Sequence, residues 1–301
     1  MKRSTNEARR DLLLAMGGGM LLASATPVSA GLFDSVRGGI VRGGGLVNVT
    51  VSGNRAVAAI QISVLGLGLV SIEAIFDFEN PQNLTPASLG VSVGLTSPLA
   101  LLGRIDLSRV SLGLPIMITV EPPAAQGLSF DNSVAVELHT EALGFTLDSP
   151  LRLYKAPIGG TFFDITDDVL AGSVRTRGRS GEFSQFLICL DLLQLATPAV
   201  AYAADAQAKY LFLASRLLSP GVSSKARTVL ETDLAASRVA YDAGNYAAAR
   251  SGIATFAARV KSFRPPDVPN RWRAARDLDN VAGSLLGEAS SLDFTLRRLG
   301  G

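Results

Sequence analysis

Three aspartates close together in the chain are the best candidates for chemistry in this sequence. Asp164, Asp167 and Asp168 lie in the stretch Phe-Asp-Ile-Thr-Asp-Asp. Closely spaced carboxylates on a loop can bind calcium, which takes about 6 to 8 oxygen ligands, or can act as the acid and base of sugar hydrolysis. Asp and Thr after a strand also favour turns, because their side chains hydrogen-bond the neighbouring backbone. We interpret residues 165–168 as such a turn, and the three aspartates remain the candidates for a calcium site.

The sequence contains one histidine and one cysteine, which restricts metal binding and nucleophilic catalysis. His139 lies in an alternating run with Glu137 and close to Glu141, so we interpret it as a polar side chain rather than a general base or metal ligand. Cys189 lies within an apolar run, which indicates a small buried side chain. No Gly-x-Ser-x-Gly motif accompanies the histidine. The sequence therefore predicts no catalytic residue, no bound metal and no cofactor.

Short apolar runs with period-two alternation are predicted to position these residues. Val47, Val49 and Val51 alternate with polar residues, and residues 71–78 place their apolar side chains on one face. Such alternation is typical of half-buried strands in antiparallel sheets. Further runs occupy residues 56–65, 91–95, 115–120, 134–139, 151–154, 161–165, 172–177 and 183–189. Many short strands without a long helix between them predict an antiparallel β-sandwich over residues 46–190.

From residue 191 onward the sequence is rich in Ala, Leu and Arg and follows a helical period. It predicts helices over residues 198–218 and 224–243, a third between Asn245 and Pro265, and a fourth over residues 268–299. Gly244 can end the second helix and Asn245 can cap the third, which makes a tight antiparallel turn. These helices predict an α-helical bundle over residues 191–301. The predicted fold class is α+β, with the sandwich and the bundle as two segregated domains.

The one tryptophan lies in a basic run. Trp272 has Arg271, Arg273 and Arg276 as neighbours. A tryptophan beside arginines can anchor a protein at a lipid interface. Alternatively, Trp272 is a large side chain in the core of the bundle, with a solvated arginine face beside it. Both interpretations stay open at this point.

Residues 1–30 carry the three parts of an export signal. Basic residues, including Arg9 and Arg10, precede an apolar run over residues 12–25, and small residues lead to a predicted cleavage site after Ala30. Two arginines followed by leucines resemble the twin-arginine export motif, while the general secretory route remains open. We therefore predict a bacterial protein that is periplasmic or secreted.

The apolar run of the signal is shorter than the roughly 20 residues that a membrane-spanning helix needs. The sequence after it has no second candidate, so we predict no transmembrane span once the signal is removed. Residues 31–45 are rich in glycine and are predicted to form a flexible leader.

Cleavage of the signal changes the charge balance of the chain. The full sequence has 28 basic and 26 acidic residues, and the mature chain has 24 of each. Zero net charge gives no support for nucleic acid binding, which needs a basic face. Residues 31–190 carry 10 basic and 14 acidic residues, whereas residues 191–301 carry 14 and 10. The two parts are expected to attract each other, although salt screens exposed charges more than about 10 Å apart.

Distinctive motifs cluster around residues 151–191. They are Leu-Arg-Leu-Tyr-Lys-Ala-Pro at residues 151–157, Phe-Asp-Ile-Thr at residues 163–166 and Phe-Ser-Gln-Phe-Leu-Ile at residues 183–188. Together with residues 84–91 and 121–130, this pattern resembles an exported bacterial family known only as a domain of unknown function. The likeness covers most of the mature chain and implies no known activity. Residues 241–260 resemble the helical FIMAH-type domains of secreted bacterial proteins.

These features favour an exported cell-envelope protein that binds or scaffolds and has no catalytic activity. The expected partner is an envelope protein or glycan, and nucleic acid is not an expected partner. The alternative is a carboxylate-dependent hydrolase acting on envelope polysaccharide. That alternative requires the three candidate aspartates to converge in a concave pocket with other carboxylates, such as Glu137 or Glu141. Contact of the basic bundle with a membrane surface is a third interpretation.

Overall fold

Strands come first in this chain and long helices follow. The computed structural model describes residues 44–143, 149–170, 174–263 and 265–301. The predicted export signal, with Arg9, Arg10 and the cleavage site after Ala30, lies outside the described residues, as does the predicted leader up to residue 43. The predicted α+β fold class is confirmed. Within the four described ranges, no helix is long and apolar enough to cross a membrane.

Two antiparallel sheets form the sandwich. In chain order the strands are β1 (Gly45–Ser52), β2 (Arg55–Val64), β3 (Gly68–Phe78), β4 (Val91–Leu95), β5 (Val110–Val120), β6 (Ser129–Asp131), β7 (Val134–Thr140), β8 (Leu151–Ala156), β9 (Phe163–Asp164), β10 (Thr166–Leu170), β11 (Val174–Ser180), β12 (Gln185–Asp191) and β13 (Arg271–Arg273). A six-stranded sheet has the order β1-β2-β3-β7-β11-β10, and a five-stranded sheet has the order β4-β5-β12-β8-β9. A third sheet pairs β13 with β6.

The main hydrophobic core lies between the two sheets and follows from the alternation of the strands. In β2, Ala58, Ile60 and Ile62 are buried, while the residues between them are exposed. These side chains belong to the same core as Phe186 and Ile188 of the five-stranded sheet. Burial of each large apolar side chain stabilises the fold by about 1.5–3 kcal/mol.

Strand β12 is buried on both faces, which explains its unbroken apolar run Phe-Leu-Ile-Cys-Leu. Phe186 and Ile188 lie in the main core, whereas Leu187 and Cys189 pack on the opposite face with Leu101. Burial raises the pKa of the Cys189 thiol, so the thiol stays protonated at neutral pH. Cys189 is fully buried, as its apolar neighbours predicted.

The helices are α1 (Pro86–Leu89), α2 (Leu192–Ala196), α3 (Pro198–Leu217), α4 (Ser224–Asp242), α5 (Tyr246–Ser262) and α6 (Val281–Arg298). Thr85 caps α1, and Gly90 follows it with a φ of 62°. The predicted turn between α4 and α5 is also confirmed. Gly244 has a φ of 74°, and the Asn245 side chain caps α5.

The last predicted helix is wrong at its N-terminal end. The helical period predicts a start near residue 268, but α6 begins at Val281, where the Asn280 side chain accepts a hydrogen bond from the Gly283 amide at 2.9 Å. Part of the preceding segment is strand β13 instead. Pairing with β6 and burial of Trp272 outweigh helix propensity, which differs among ordinary residues by less than about 1 kcal/mol.

Trp272 belongs to the core of the sandwich. Its ring stacks on Phe130 with centroids 5.2 Å apart and meets Phe183 edge-on at 5.3 Å. Its exposed fraction is 3%. The lipid-anchor interpretation is wrong because the ring is buried, and the bundle-core interpretation is wrong because the ring packs with the sandwich residues. The segment between α5 and α6 therefore completes the sandwich.

Helix α6 lies directly against strands β10 and β11. Gly283 approaches the sandwich so closely that a Cβ atom there would overlap the carbonyl oxygen of Asn132 and lie 2.5 Å from Cα of Gly181. A Cβ atom on Gly287 would lie 2.6 Å from the carbonyl oxygen of Arg179. The two glycines therefore allow the helix backbone to touch the backbone of the sandwich.

Gly283→Ala is expected to lower the free energy of unfolding by about 2–3 kcal/mol, although alanine is normally the better helix former by about 1 kcal/mol. The added methyl group meets backbone atoms that cannot rotate away, so α6 has to shift. Urea denaturation followed by circular dichroism measures the change. Ala258→Gly, on the exposed face of α5, is the control and is expected to cost about 1 kcal/mol. A stabilising effect of Gly283→Ala would contradict this packing of α6.

Candidate functional site

Asp164 is a buried carboxylate that is held by a cation from the helical part of the chain. It ends strand β9, and its Oδ2 accepts a hydrogen bond from Lys209 Nζ of α3 at 3.0 Å. Its Oδ1 accepts a hydrogen bond from the backbone amide of Thr166 at 2.9 Å. Burial opposes ionisation of this carboxyl, but the charges of Lys209 and Arg152 outweigh burial, so the pKa of Asp164 is lowered. Asp164 is therefore an ionised partner of α3.

Asp167 and Asp168 lie in strand β10, so the predicted turn at residues 165–168 is wrong. Asp167 is 4% exposed, and its carboxylate accepts hydrogen bonds from Arg177 Nε at 3.1 Å and from Ser290 Oγ at 3.1 Å. A carboxylate that is satisfied by side chains does not need the local backbone donors on which an Asp turn depends. The segment is therefore free to pair with β11.

The three candidate aspartates do not converge on a common point. Asp164 and Asp167 are paired with cations of the chain, and Asp168 accepts a hydrogen bond from the next backbone amide at 2.9 Å. Calcium needs several convergent oxygen ligands. In the part of the chain that the structure describes, no cluster of three or more His, Cys, Asp or Glu side chains is arranged to hold a metal ion. None of the three aspartates lines the cavities described below.

His139 lies on the outer face of the six-stranded sheet, where the alternation places it. Its Nδ1 atom lies 3.1 Å from Glu73 Oε2 of the neighbouring strand, and the imidazole is 17% exposed. On the same strand, Glu137 lies 3.9 Å from the guanidinium of Arg175. Opposite charges across neighbouring strands are typical of a sheet face that is exposed to solvent. His139 is thus part of a pattern of polar contacts across neighbouring strands.

A groove of about 620 Å³ lies beside His139 on this outer face. Its lining combines polar and apolar side chains, among them Gln61, Glu73, Glu141, Leu67 and Leu69. At the β2–β3 hairpin, Leu65, Leu67 and Leu69 are exposed by 83%, 53% and 64%. We call these three leucines the leucine tip. Several large apolar side chains together in solvent are typical of an interaction surface.

Arg152 is a buried cation that joins the sandwich to the helices. Its guanidinium donates hydrogen bonds to Gln194 Oε1 of α2 and, at 2.9 Å, to the Tyr202 hydroxyl of α3. It also donates to two backbone carbonyl oxygens of its own segment, at 3.0 and 2.6 Å. The guanidinium carbon lies 5.2 Å from the ring centroid of Phe294 of α6. One side chain of β8 therefore contacts three helices.

Opposite charges from the N-terminal and C-terminal parts of the sequence meet in the fold. Lys209, Lys261, Arg271 and Arg276 each lie between 2.8 and 3.8 Å from an acidic residue of the N-terminal part. Exposed pairs of this kind contribute little to stability. The pair of Lys209 with Asp164 is buried, so solvent and salt screen its charges less and it contributes more to stability. The division of charge along the sequence thus corresponds to contacts in the fold.

A cavity of about 310 Å³ lies where α3 and α6 meet the sandwich. Its charged lining residues are Lys155, Arg179, Glu182, Arg216, Asp279 and Glu288. The stacked rings of Phe163 and Phe212, with centroids 5.9 Å apart, provide an apolar wall. An adjoining cavity of about 130 Å³ shares Glu182 with the first and is also lined by Ser184. We call the two cavities together the Glu288 pocket.

Glu288 is a buried carboxyl group in this pocket. It is 6% exposed and has no hydrogen-bond partner among the described residues. Burial raises the pKa of Glu288 to about 8, although the charge of Lys209 opposes the rise. The carboxyl is therefore mostly protonated at neutral pH and carries a hydrogen-bond donor. The Oγ atom of Ser184 is likewise buried and lacks a partner within the described ranges.

Lys155 of β8 is the buried cation of the pocket. Its Nζ donates a hydrogen bond to Glu182 Oε1 at 2.9 Å and lies 5.6 Å from the ring centroid of Phe163. Burial lowers the pKa of Lys155, although Glu182 opposes the shift. Burial also opposes ionisation of Glu182, but the charge and hydrogen bond of Lys155, together with the charges of Arg216 and Arg276, lower the pKa of Glu182. Because an ammonium group has three donors, Lys155 keeps donors for a further partner.

Sequence reasoning missed Arg152, Lys155 and Glu288. The first two stand in the run Leu-Arg-Leu-Tyr-Lys-Ala, where polar side chains suggest a solvated face, but every residue of β8 is buried. Glu288 shares a helical face with Leu285 and Leu292, which are three and four positions away. A carboxyl group on an otherwise apolar helical face is the signal that would have identified it.

Comparison with known protein families extends the resemblance seen in the sequence. A family described as a family of unknown function (DUF6689) matches residues 45–300. Comparison with curated proteins found no match, and comparison with solved structures found none either. The match includes both sheets of the sandwich and all the long helices, and the predicted membership of an uncharacterised family is confirmed. The chain therefore belongs to the family of unknown function DUF6689.

Proposed function

We propose that this protein is exported to the bacterial cell envelope and acts there by binding or scaffolding a partner, without catalytic activity. The export signal predicted over residues 1–30 supports this location. The observation that carries the binding function is the leucine tip beside the groove on the six-stranded sheet. The proposed partner is an envelope protein, and an envelope glycan is the other partner to be tested.

The chemistry of the leucine tip favours a protein partner. Burial of a leucine against a partner gains about 1.5–3 kcal/mol, so three neighbouring leucines supply a useful apolar contact. The polar side chains of the groove, among them Gln61 and Glu73, would fix the orientation of that partner. Glycans are commonly bound on the rings of Phe, Tyr or Trp, and none of these is among the described residues that line the groove.

The buried aspartates are paired with basic side chains of the same chain, which supports a structural role for them. Asp164 is held by Lys209, and Asp167 is held by Arg177. The alternative of a carboxylate-dependent hydrolase needs such groups to face a substrate together with Glu137. Glu137 lies instead on the outer face of the six-stranded sheet, in β7, and its nearest cation is an arginine of β11.

Photo-crosslinking in cells that export the full chain tests the proposal. A photo-reactive amino acid in place of Leu67 is expected to capture a protein of defined mass. The same substitution at Leu211, which is 70% exposed on α3, is the matched control and is expected to capture none. Adding Leu65→Ser and Leu69→Ser is expected to reduce the yield at Leu67 at least about tenfold, because most of the apolar contact is lost. Equal capture at both positions, or none at Leu67, would contradict the proposal.

A reducing-end assay separates this proposal from the hydrolase alternative. The purified chain is incubated with envelope polysaccharide, and the heat-denatured chain serves as the control. No release of reducing ends above that control is expected. Sustained release would instead support hydrolysis and would overturn the non-catalytic part of the proposal.

A further inference from the structure

The Glu288 pocket holds polar groups that the fold leaves unsatisfied. The Oγ atom of Ser184 is fully buried without a partner, and the Glu288 side chain, which is 6% exposed, makes no hydrogen bond to another described residue. Buried polar groups in folded proteins are nearly always paired, because leaving one unpaired costs stability. The two groups line adjoining cavities, so both are free to bond a molecule that enters the pocket.

We propose that the Glu288 pocket binds a small organic carboxylate. The oxygens of that carboxylate accept hydrogen bonds from the Glu288 hydroxyl and from Lys155 Nζ. Its apolar part packs against the stacked rings of Phe163 and Phe212. The larger cavity, about 310 Å³, lies at the lower end of the range of ligand pockets, so the ligand is small.

The donors at the base of the pocket favour an anion over a cation. Each basic side chain that lines the two cavities has an acidic partner: Lys155 with Glu182, Arg216 with Asp279, Arg179 with Asp167 and Arg276 with Glu121. The preference therefore rests on hydrogen-bond donors and not on an excess of charge. The Glu288 hydroxyl and Lys155 Nζ both donate, which suits the oxygens of a carboxylate, whereas an ammonium ligand would bring further donors.

The entrance to the pocket lies at its polar rim. The side chains of Glu182 and Asp279 are 48% and 57% exposed, whereas that of Lys155 is 4% exposed. A ligand entering past the two acids reaches the buried donors behind them. The pocket is thus open on one side and lined by buried donors at its base, as ligand sites commonly are.

Protonation of Glu288 controls the proposed binding. Ionised Glu288 would repel a carboxylate and would no longer donate a hydrogen bond. The charged groups that act on Glu288 or line its pocket are Lys155 of β8, Asp164 of β9, Arg179 of β11, Glu182 of the β11–β12 turn, Asp205, Lys209 and Arg216 of α3, and Asp279 before α6. Strand β10 and helix α5 also pack on α6 and add Asp167 and Arg250, which bond Ser290 and Asp293 of α6. Binding is therefore expected to weaken as the pH rises through about 8, the pKa of Glu288.

Calorimetric titration with three small probes of similar shape tests the ligand class. The probes are benzoate, benzylamine and benzyl alcohol, which present an anion, a cation and a neutral hydroxyl on the same ring. At pH 6.5 benzoate is expected to bind more tightly than the other two. Tighter binding of benzylamine, or no binding of any probe, would overturn the proposal.

Two substitutions of Glu288 test the role of its donor. Glu288→Gln keeps a donor that does not titrate, so benzoate affinity is expected to stay within about threefold of wild type and to lose its pH dependence. In the wild type the dissociation constant is expected to rise at least about tenfold between pH 6.5 and 9.5. Glu288→Leu removes the donor and is expected to weaken binding at least about tenfold.

Glu231→Gln, on the exposed surface of α4, is the matched control and is expected to bind benzoate as the wild type does. A pH dependence that persists in Glu288→Gln would assign the titration to Lys155 and overturn the role of Glu288. The pocket shares no lining residue with the groove beside the leucine tip. Failure of this proposal therefore leaves the proposed binding function untouched.

Discussion

Lys209→Met is expected to lower the free energy of unfolding by about 3–5 kcal/mol at pH 7. The substitution removes the ammonium group that donates to Asp164 Oδ2 at 3.0 Å and to Thr295 Oγ1 at 2.9 Å. Asp164 then remains as a buried carboxylate without its main partner. Removing one member of a buried ion pair is costly because the other charge stays out of water. Urea denaturation followed by the fluorescence of Trp272 measures the loss.

The pH dependence of this loss identifies Asp164 as its cause. The pKa of Asp164 in the folded protein is lowered, whereas an unfolded aspartate titrates near about 3.9. In the wild type this carboxylate therefore stabilises the fold above about pH 4, and that contribution is lost as the pH falls through the lower folded value. Without Lys209, less positive charge opposes the effect of burial, so the pKa of Asp164 rises. The difference in the free energy of unfolding between the wild type and Lys209→Met is therefore expected to become smaller as the pH falls from about 7 to about 4.5.

Two further variants control this experiment. Lys209→Met combined with Asp164→Asn removes both charges and is expected to recover more than half of the loss, because the buried carboxylate that lost its partner is gone. Arg55→Met breaks the exposed pair with Asp77 and is expected to leave stability almost unchanged. A loss of the same size in Arg55→Met, or a loss in Lys209→Met that does not depend on pH, would contradict the assignment.

Arg152→Met is expected to lower the free energy of unfolding by about 3 kcal/mol. Methionine fills most of the space of the arginine stem but donates no hydrogen bond. The acceptors on Gln194 and Tyr202, and two backbone carbonyls, then lose a donor in a buried site. Each unsatisfied buried group costs about 1–3 kcal/mol, partly offset because the buried charge is gone. Thermal unfolding and urea titration both measure the change.

Arg104→Met is the matched control for this variant. Arg104 also donates to two acceptors, Gly160 O at 2.8 Å and Gln185 Oε1 at 2.6 Å, but it is only half-buried. Water can replace its bonds, so a loss of about 1 kcal/mol is expected. Arg152→Lys keeps the charge and one donor group. Its loss of unfolding free energy is expected to lie between the losses of Arg152→Met and Arg104→Met. If Arg152→Met is as stable as the wild type, the prediction is contradicted, and the buried guanidinium then gives specificity of the fold rather than stability.

The sequence predicted well where local chemistry decides the structure. Alternation located most strands of the two sheets, and the cap at Asn245 and the turn at Gly244 follow from a single side chain and from glycine geometry. These features depend on neighbours within a few residues. The export signal and the cellular location stay predictions.

The sequence predicted poorly where distant contacts decide. Strand β13 was missed because its partner β6 is far away in the chain, and the turn at residues 165–168 was predicted because the partners of Asp167 come from β11 and α6. The Glu288 pocket was not predicted for the same reason, because residues that are distant in the chain form it. Its lining comes from strands and helices that the sequence pattern could not place together.

The return of the chain to strand β13 has a consequence for the order of folding. Arg271 and Asp131, which are paired across β13 and β6, are 140 residues apart in the chain. Trp272 fills the space against Phe130 and Phe183. A nascent chain that has been synthesised only as far as β12 therefore has both sheets but leaves these two rings uncovered. The core of the sandwich is therefore complete only when the segment after α5 has been synthesised.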